Sequence, residues 1–374
     1  MFLRRIVRFM RKIRNRLVRE FKDSLIALYK AMKKRSYHKY LIGLYKRRNS
    51  KPYELSKEQK NSIRQYYKSN GIELKSTMYH EFYYQKTGIF NIRYLPDDLH
   101  YLIVDPYFND WDAAQYIDNK CYYSWLLPEL NHPKCFAMRV NGIWFKQFGI
   151  PLCGGGVEAV YSLCRKEKIF IKKATDSSGG AGVYFMDSPS YEEFNSIICR
   201  IQGDILIQKG IVQSRTLSKL NESSVNTIRS LSLLQSNGEV KIYSSIIRMG
   251  VNGSKVDNAC SGGITCGIDG DGRLKDVAYS ADGDKFKMHP NSLIAFSDIV
   301  IPSYRKILDT IKTIHPHFPH FRQISWDFAI DENEEPVFVE MNLCNGELDF
   351  HQLNNGPLYG DDTDIILSEV FGHE

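Results

Sequence analysis

Residues 324–342 read Ile-Ser-Trp-Asp-Phe-Ala-Ile-Asp-Glu-Asn-Glu-Glu-Pro-Val-Phe-Val-Glu-Met-Asn, and their pattern decides the fold class. Two apolar runs, Ile324–Ile330 and Pro336–Met341, flank the polar segment Asp331–Glu335, which predicts two antiparallel strands joined by a hairpin loop. Asp327 and Glu340 sit among apolar neighbours, where an ionised carboxylate is costly unless a cation pairs with it. The two-residue period of a strand puts Glu340 and Asn342 on one face. Two carboxylates and an amide oxygen would suit a hard cation such as Mg²⁺ carrying phosphate ligands; the plainer alternative is a solvated hairpin face.

Two more hairpins are predicted upstream. Leu231–Leu234 and Val240–Ile247 flank Asn237-Gly238, and Ile264–Ile268 and Leu274–Tyr279 flank Asp269–Gly272. Helical patterns near 56–69, 121–130, 190–200 and 299–314 surround them, and the short apolar runs are expected to begin at Tyr101. The class is therefore α+β, with helices covering sheet faces.

The 374 residues carry a net charge of +7, unevenly spread. Residues 1–50 hold 17 Lys/Arg against Glu20 and Asp23, leaving a net acidic remainder. A basic field confined to one end argues against nucleic-acid binding by the whole chain. Phe2, Ile6, Phe9, Ile13, Leu17, Phe21, Leu25 and Leu28 recur every three or four residues between arginines, the pattern of an amphipathic basic helix. Such a helix can lie in an anionic membrane interface, pack on the body or pair in an oligomer. Residues 36–54, basic and Tyr-rich with Pro52 near their end, read as a linker. No apolar run approaches the ~20 residues of a membrane span. The eight cysteines include no C-x-x-C pair and fit reduced thiols in a cytoplasmic protein.

Residues 169–183 (Ile-Phe-Ile-Lys-Lys-Ala-Thr-Asp-Ser-Ser-Gly-Gly-Ala-Gly-Val) read as strand, glycine loop, strand. A lysine at a strand end beside small residues suits a triphosphate, because backbone N–H groups approach its oxygens closely while the ammonium offsets their charge. A simple hairpin turn would look the same.

Together these features resemble the ATP-grasp superfamily, in its sugar-transfer-associated branch, over roughly residues 97–360. The resemblance implies two α+β lobes clamping a nucleotide, with a basic helical extension at the N-terminus. It divides the chain into an arm (1–50), a helical and reduced pre-domain (51–118) and an ATP-grasp domain (119–365), whose lobes are 119–212 and 213–365. Lys120 and Lys172 correspond to the family's two nucleotide lysines, and Ser177, Ser178, Gly179 and Gly180 to its phosphate loop. Gln208, Lys209, Gly210 and Ile211 match the adenine-reading hinge. Arg229 is similar to the arginine that grips the γ-phosphate and the acyl phosphate made from it; Arg248, Asn258 and Ser261-Gly262-Gly263 resemble the Arg, Asn, Gly-Gly run of the glutamate-adding branch. Asp327, Glu340 and Asn342 match the metal triplet. Many members carry a basic residue two to four positions after that Asn; Leu343-Cys344-Asn345-Gly346-Glu347 has none.

The implied activity is an ATP- and Mg²⁺-dependent carboxylate–amine ligase acting through an acyl phosphate, in synthesis or modification of a bacterial surface polysaccharide. Lys172, Arg229 and Arg248 would handle the transferring group. The implied acid is a sugar acid or glycan-linked carboxylate, the amine is unspecified, and the arm would hold the protein at the inner membrane face. A sugar or small-molecule kinase and a non-catalytic glycosyltransferase adaptor are the alternatives.

Overall fold

A computed structural model describes residues 28, 31–48, 54–147, 149–152, 154, 156–175, 182–254, 257 and 262–372. Two antiparallel sheets organise them. The first runs β3-β2-β1-β6-β4-β5, built from β1 (Cys135–Val140), β2 (Ile143–Gln147), β3 (Ile150–Pro151), β4 (Lys168–Lys173), β5 (Val183–Asp187) and β6 (Ile205–Lys209). Helices Val157–Cys164 and Tyr191–Arg200 cover one face, where Val160, Cys164, Phe194 and Ile198 pack on Ile169, Ile171, Ile205 and Ile207. Ser190 and Glu193 close a capping box that sets the start of the second helix. Strand alternation turns Lys172, Leu206 and Gln208 to the opposite face.

The second sheet runs β11-β10-β9-β8-β7-β12-β13, from β7 (Thr227–Leu234), β8 (Val240–Met249), β9 (Ile264–Ile268), β10 (Leu274–Ser280), β11 (Lys285–Phe286), β12 (Gln323–Ile330) and β13 (Pro336–Asn342). The three expected hairpins are β7–β8, β9–β10 and β12–β13; Gly238, at φ 85°, supplies the left-handed turn of the first. All eight residues of β12 are buried because both of its faces are covered. Ile324, Trp326, Phe328 and Ile330 pack with Ile307, Ile311 and Ile314 of helix Tyr304–Ile314. The other face holds polar side chains near β13. Farther along it, Leu231 and Leu233 pack with Leu41, Leu95, Val104 and Leu348 from the N-terminal segment and helix Leu348–Asn355.

Three sequence expectations change. Residues 31–48 form a helix where a linker was expected from 36 onward; Leu41 and Tyr45, one turn apart, are buried against the body. Residues 97–108 and 111–117 are helical instead of opening the strand region at Tyr101, and strands start at Cys135. Pro106 cannot donate a hydrogen bond, and the chain passes it through a widened turn at His100–Val104; Asp110 then caps the next helix by accepting from Asp112 and Ala113 N–H. The helix expected over 121–130 shrinks to Tyr123–Leu126, because Pro128 disfavours helical backbone at Leu127. Of the predicted arm over residues 1–50, residues 1–27, 29, 30, 49 and 50 lie outside the described residues. Among them, no helix is long and apolar enough to cross a membrane, and Cys121, Cys135, Cys164, Cys199, Cys266 and Cys344 are free thiols.

Candidate functional site

The polar end of the second sheet is a row of charges placed by strand register. Asp327 lies opposite Arg229 on β7 and opposite Glu340 on β13, Ser325 lies opposite Asn342, and Thr227 opposite Arg248 on β8. Alternation brings all of these onto one face. Arg229 clamps Asp327 with a bidentate pair, Nε to Oδ1 and Nη2 to Oδ2, both 2.7 Å. Arg248 donates from Nη2 to Asp327 Oδ2 at 3.0 Å and from Nε to Thr227 Oγ1 at 3.0 Å. Asp327 is fully buried, which an anion tolerates only with such partners.

Lys120 joins this row from a turn beside the first sheet. Its backbone N–H donates to Ala174 O just past β4, while its Nζ meets Glu340 Oε2 at 2.9 Å. Burial would raise the Glu340 carboxyl, but Lys120, Arg248 and Arg229 together hold it well below the usual carboxylate range. The Lys172 side chain stands nearby without an ion pair or hydrogen bond among the described residues. Burial pushes its ammonium down to about 8; Lys120 reinforces that shift and Glu340 and Asp257 oppose it. An ammonium held this way gains most from an incoming anion.

Asn342 donates from Nδ2 to Ser325 O at 3.4 Å, which leaves its carbonyl oxygen for another partner. Glu340 uses one oxygen for Lys120, and Asp327 retains acceptor capacity beside its guanidiniums. Among the described residues no three His, Cys, Asp or Glu side chains gather at one point. A divalent cation here would therefore be served by the mixed set Asp327, Glu340 and Asn342, whose hard oxygens fit Mg²⁺.

The expected hinge is the end of β6 and the crossing that follows. Lys209 N–H donates to Lys134 O and Gly210 N–H to Lys168 O, both 2.8 Å, and Lys209 Nζ meets Glu167 Oε2 at 2.9 Å. Gln208 pairs in register with Phe170, and Ile211 follows in the link that reaches the second sheet where Ser214 N–H meets Ile330 O. The Lys209 side chain is thus engaged away from the charge row. Ser177, Ser178, Gly179, Gly180 and Asn258 lie outside the described residues.

Two acids escaped the sequence reading. Asp257 accepts from Thr227 Oγ1 and lies 3.4 Å from Arg248 Nη2. Glu347 accepts from Arg229 Nη1 and lies 3.9 Å from Arg248 Nη1. Burial raises the Glu347 carboxyl, against the pull of both arginines. Neither residue belongs to a motif with fixed spacing. The hint in sequence was Asn345-Gly346-Glu347 after an apolar strand, a turn-forming stretch ending in an acid.

Residues 105–361 match the family described as sugar-transfer associated ATP-grasp, more than half of the chain. No curated protein matches the sequence. Among solved structures, the biotin carboxylase domain of the Hydrogenobacter thermophilus 2-oxoglutarate carboxylase, in complex with MgADP, ADP and bicarbonate, is 13% identical with a TM-score of 0.41, over 71% of this chain and 47% of that one. The Staphylococcus aureus N5-carboxyaminoimidazole synthetase complexed with ADP is 10% identical with a TM-score of 0.40, over 71% and 55%. The D-alanine-D-alanine ligase of Coxiella burnetii is 13% identical with a TM-score of 0.37, over 67% and 57%. The chain thus spans about half the length of these solved structures.

Proposed function

This chain belongs to the sugar-transfer-associated ATP-grasp family, and on that premise we propose that it is an ATP- and Mg²⁺-dependent ligase that joins a carboxylate to an amine. Residues 119–212 and 213–365 are then the two lobes holding the nucleotide, after the segment 51–118 and the basic arm 1–50. The observation that supports this reading is the Lys120–Glu340 contact, which brings a cation anchored at the end of β4 onto the acidic row of the second sheet. Lys172 and the arginine pair stand around the same row.

The substrate carboxylate attacks the γ-phosphorus, the bond from that phosphorus to the β-bridging oxygen breaks, and ADP departs. The amine nitrogen then attacks the acyl carbon, the C–O bond to phosphate breaks, and the amine proton passes to solvent. Lys120 and Lys172 neutralise phosphate oxygens, and Arg229 and Arg248 hold the transferring group and the acyl phosphate. Asp327 orients both guanidiniums. Such catalysis works by positioning and charge compensation and needs no protein nucleophile. Asp327, Glu340 and Asn342 would hold Mg²⁺, which would supply further positive charge to the phosphates. Ser177, Ser178, Gly179, Gly180 and Asn258 add phosphate contacts, and the backbone from Gln208 to Ile211 reads adenine.

Membership of a sugar-transfer-associated family points to a sugar acid or glycan-linked carboxylate of a bacterial surface polysaccharide, modified in the cytoplasm. The arm brings the protein to the inner membrane face. The deciding experiment titrates the full chain with Mg-ATP and repeats it with Lys172→Ala. Binding by the wild type and its loss in the variant are expected; equal affinities would reject the reading. Phosphate release with ADP on presenting a panel of sugar acids and amines separates a ligase from a kinase. An adaptor would keep its function in Glu340→Gln, whereas the ligase loses it.

A further inference from the structure

Glu347 stands where an anionic ligand should bind. Arg229 commits Nε and Nη2 to Asp327. Arg248 commits Nε to Thr227 and Nη2 to Asp327 and Asp257. The remaining nitrogen of each guanidinium, Nη1, is directed at one atom, Glu347 Oε2, in direct contact for Arg229 and at 3.9 Å for Arg248. A carboxylate or phosphoryl group entering between the two arginines would meet the same pair of nitrogens.

The backbone that presents Glu347 is strained. Asn345 and Glu347 both adopt left-handed conformations, at φ 56° and 60°, which a glutamate rarely does. Gly346 between them is pressed so close that a Cβ there would come within 2.3 Å of Ser325 Oγ. Three contacts from the N-terminal segment hold the strained turn, the first from Asn345 N–H to Asp105 Oδ2 at 3.0 Å. Leu348 N–H donates to Tyr101 OH at 2.8 Å. Asp349, in the first turn of helix Leu348–Asn355, accepts from Arg48 Nη1 at 2.7 Å, and the two side chains are 11% and 6% exposed. Arg48 lies at the end of the helix formed by residues 31–48.

We propose that Glu347 is a resident carboxylate occupying the anion subsite of Arg229 and Arg248, kept there by the N-terminal helix through Arg48 and Asp349. A ligand carboxylate or phosphate binds when the turn 345–347 swings Glu347 out. Any shift of the N-terminal helix then changes anion affinity, and anion binding shifts the helix by the same coupling energy. The proposal rests on the reading of the two arginines as anion-binding groups and adds a control over them.

The test measures binding of inorganic phosphate to the full chain by calorimetry at constant ionic strength, with and without Mg-ADP. Glu347→Asp keeps the charge but withdraws the carboxylate, so simple electrostatics predicts no change and displacement of the resident group predicts tighter binding. Arg48→Met removes a positive charge, so electrostatics predicts weaker binding and release of Glu347 predicts tighter binding. The expected result is a gain of about fivefold to tenfold in both variants. Unchanged or weaker phosphate binding in Arg48→Met, no gain in Glu347→Asp, or no phosphate binding by any form would overturn the proposal. Failure of the wild type to bind Mg-ADP would sink the ligase reading alone, since the nucleotide-free arm of the phosphate comparison decides the proposal by itself.

Discussion

Lys120 and Glu340 meet at 2.9 Å, although one is tied by its backbone to the end of β4 and the other lies on β13 of the second sheet. The pair joins two layers through side chains alone, and both partners depend on it. Burial opposes the Lys120 charge, and Glu340, with Asp118 and Asp327, more than restores it.

Lys120→Met therefore strips the acidic row of one compensating cation. Mg-ATP affinity should fall by about tenfold or more, as expected for a lost charge-assisted contact of about 1.5–3 kcal/mol. Calorimetric titration reads this directly, and an unchanged Kd would show that Lys120 has no part in nucleotide binding.

Asp327→Ala leaves two buried guanidiniums without their shared partner. Removing one member of a buried ion cluster costs about 3–5 kcal/mol, so urea unfolding should shift strongly. Glu335→Ala, which removes the solvent-exposed partner of Lys306, should produce no comparable loss. Similar shifts in the two variants would contradict the burial argument.

Asp97 makes stability depend on pH. Burial and the neighbouring Asp349 push its carboxyl up to about 8, against the hydroxyls of Tyr45 and Tyr83 and the charge of Arg48. The folded chain thus keeps a proton that the unfolded chain releases above about pH 4. Stability from this group is complete below that point, declines as pH rises toward 8, and levels off beyond. Urea midpoints at pH 6 and pH 9 should separate in the wild type and converge in Asp97→Asn.

Lys172 should give nucleotide binding a pH dependence of its own. With its ammonium lowered to about 8 by burial, ATP binding at pH 9 requires proton uptake and weakens relative to pH 7. Calorimetry in buffers of different ionisation enthalpy measures that uptake. Lys172→Arg, charged throughout the range, should remove it.

For the arm, the full chain should float with anionic vesicles and remain in solution with neutral ones. Substituting Arg4, Arg5, Arg8 and Arg11 with Gln should weaken flotation, as should raised salt. Equal recovery on both lipid types would count against membrane docking.

The hairpins at 231–247, 264–279 and 324–341 were legible because alternation and turn residues are local signals, and a strand pair joined by a short loop needs no distant partner to form its pattern. The same holds for Asp327, Glu340 and Asn342, whose shared face follows from strand periodicity and hairpin pairing. The helix at 31–48 and the helical stretches 97–108 and 111–117 were misread because their apolar faces are completed by the second sheet, and a half-buried Tyr-rich helix looks like a linker until its partner is known. Glu347 and Asp257 could not be found by spacing, since each reaches the arginines from a loop about which local sequence says little. Long-range packing brought Lys120 to Glu340 and Arg48 to Asp349. Such contacts join residues hundreds of positions apart, and neither propensity nor periodicity carries information over that distance.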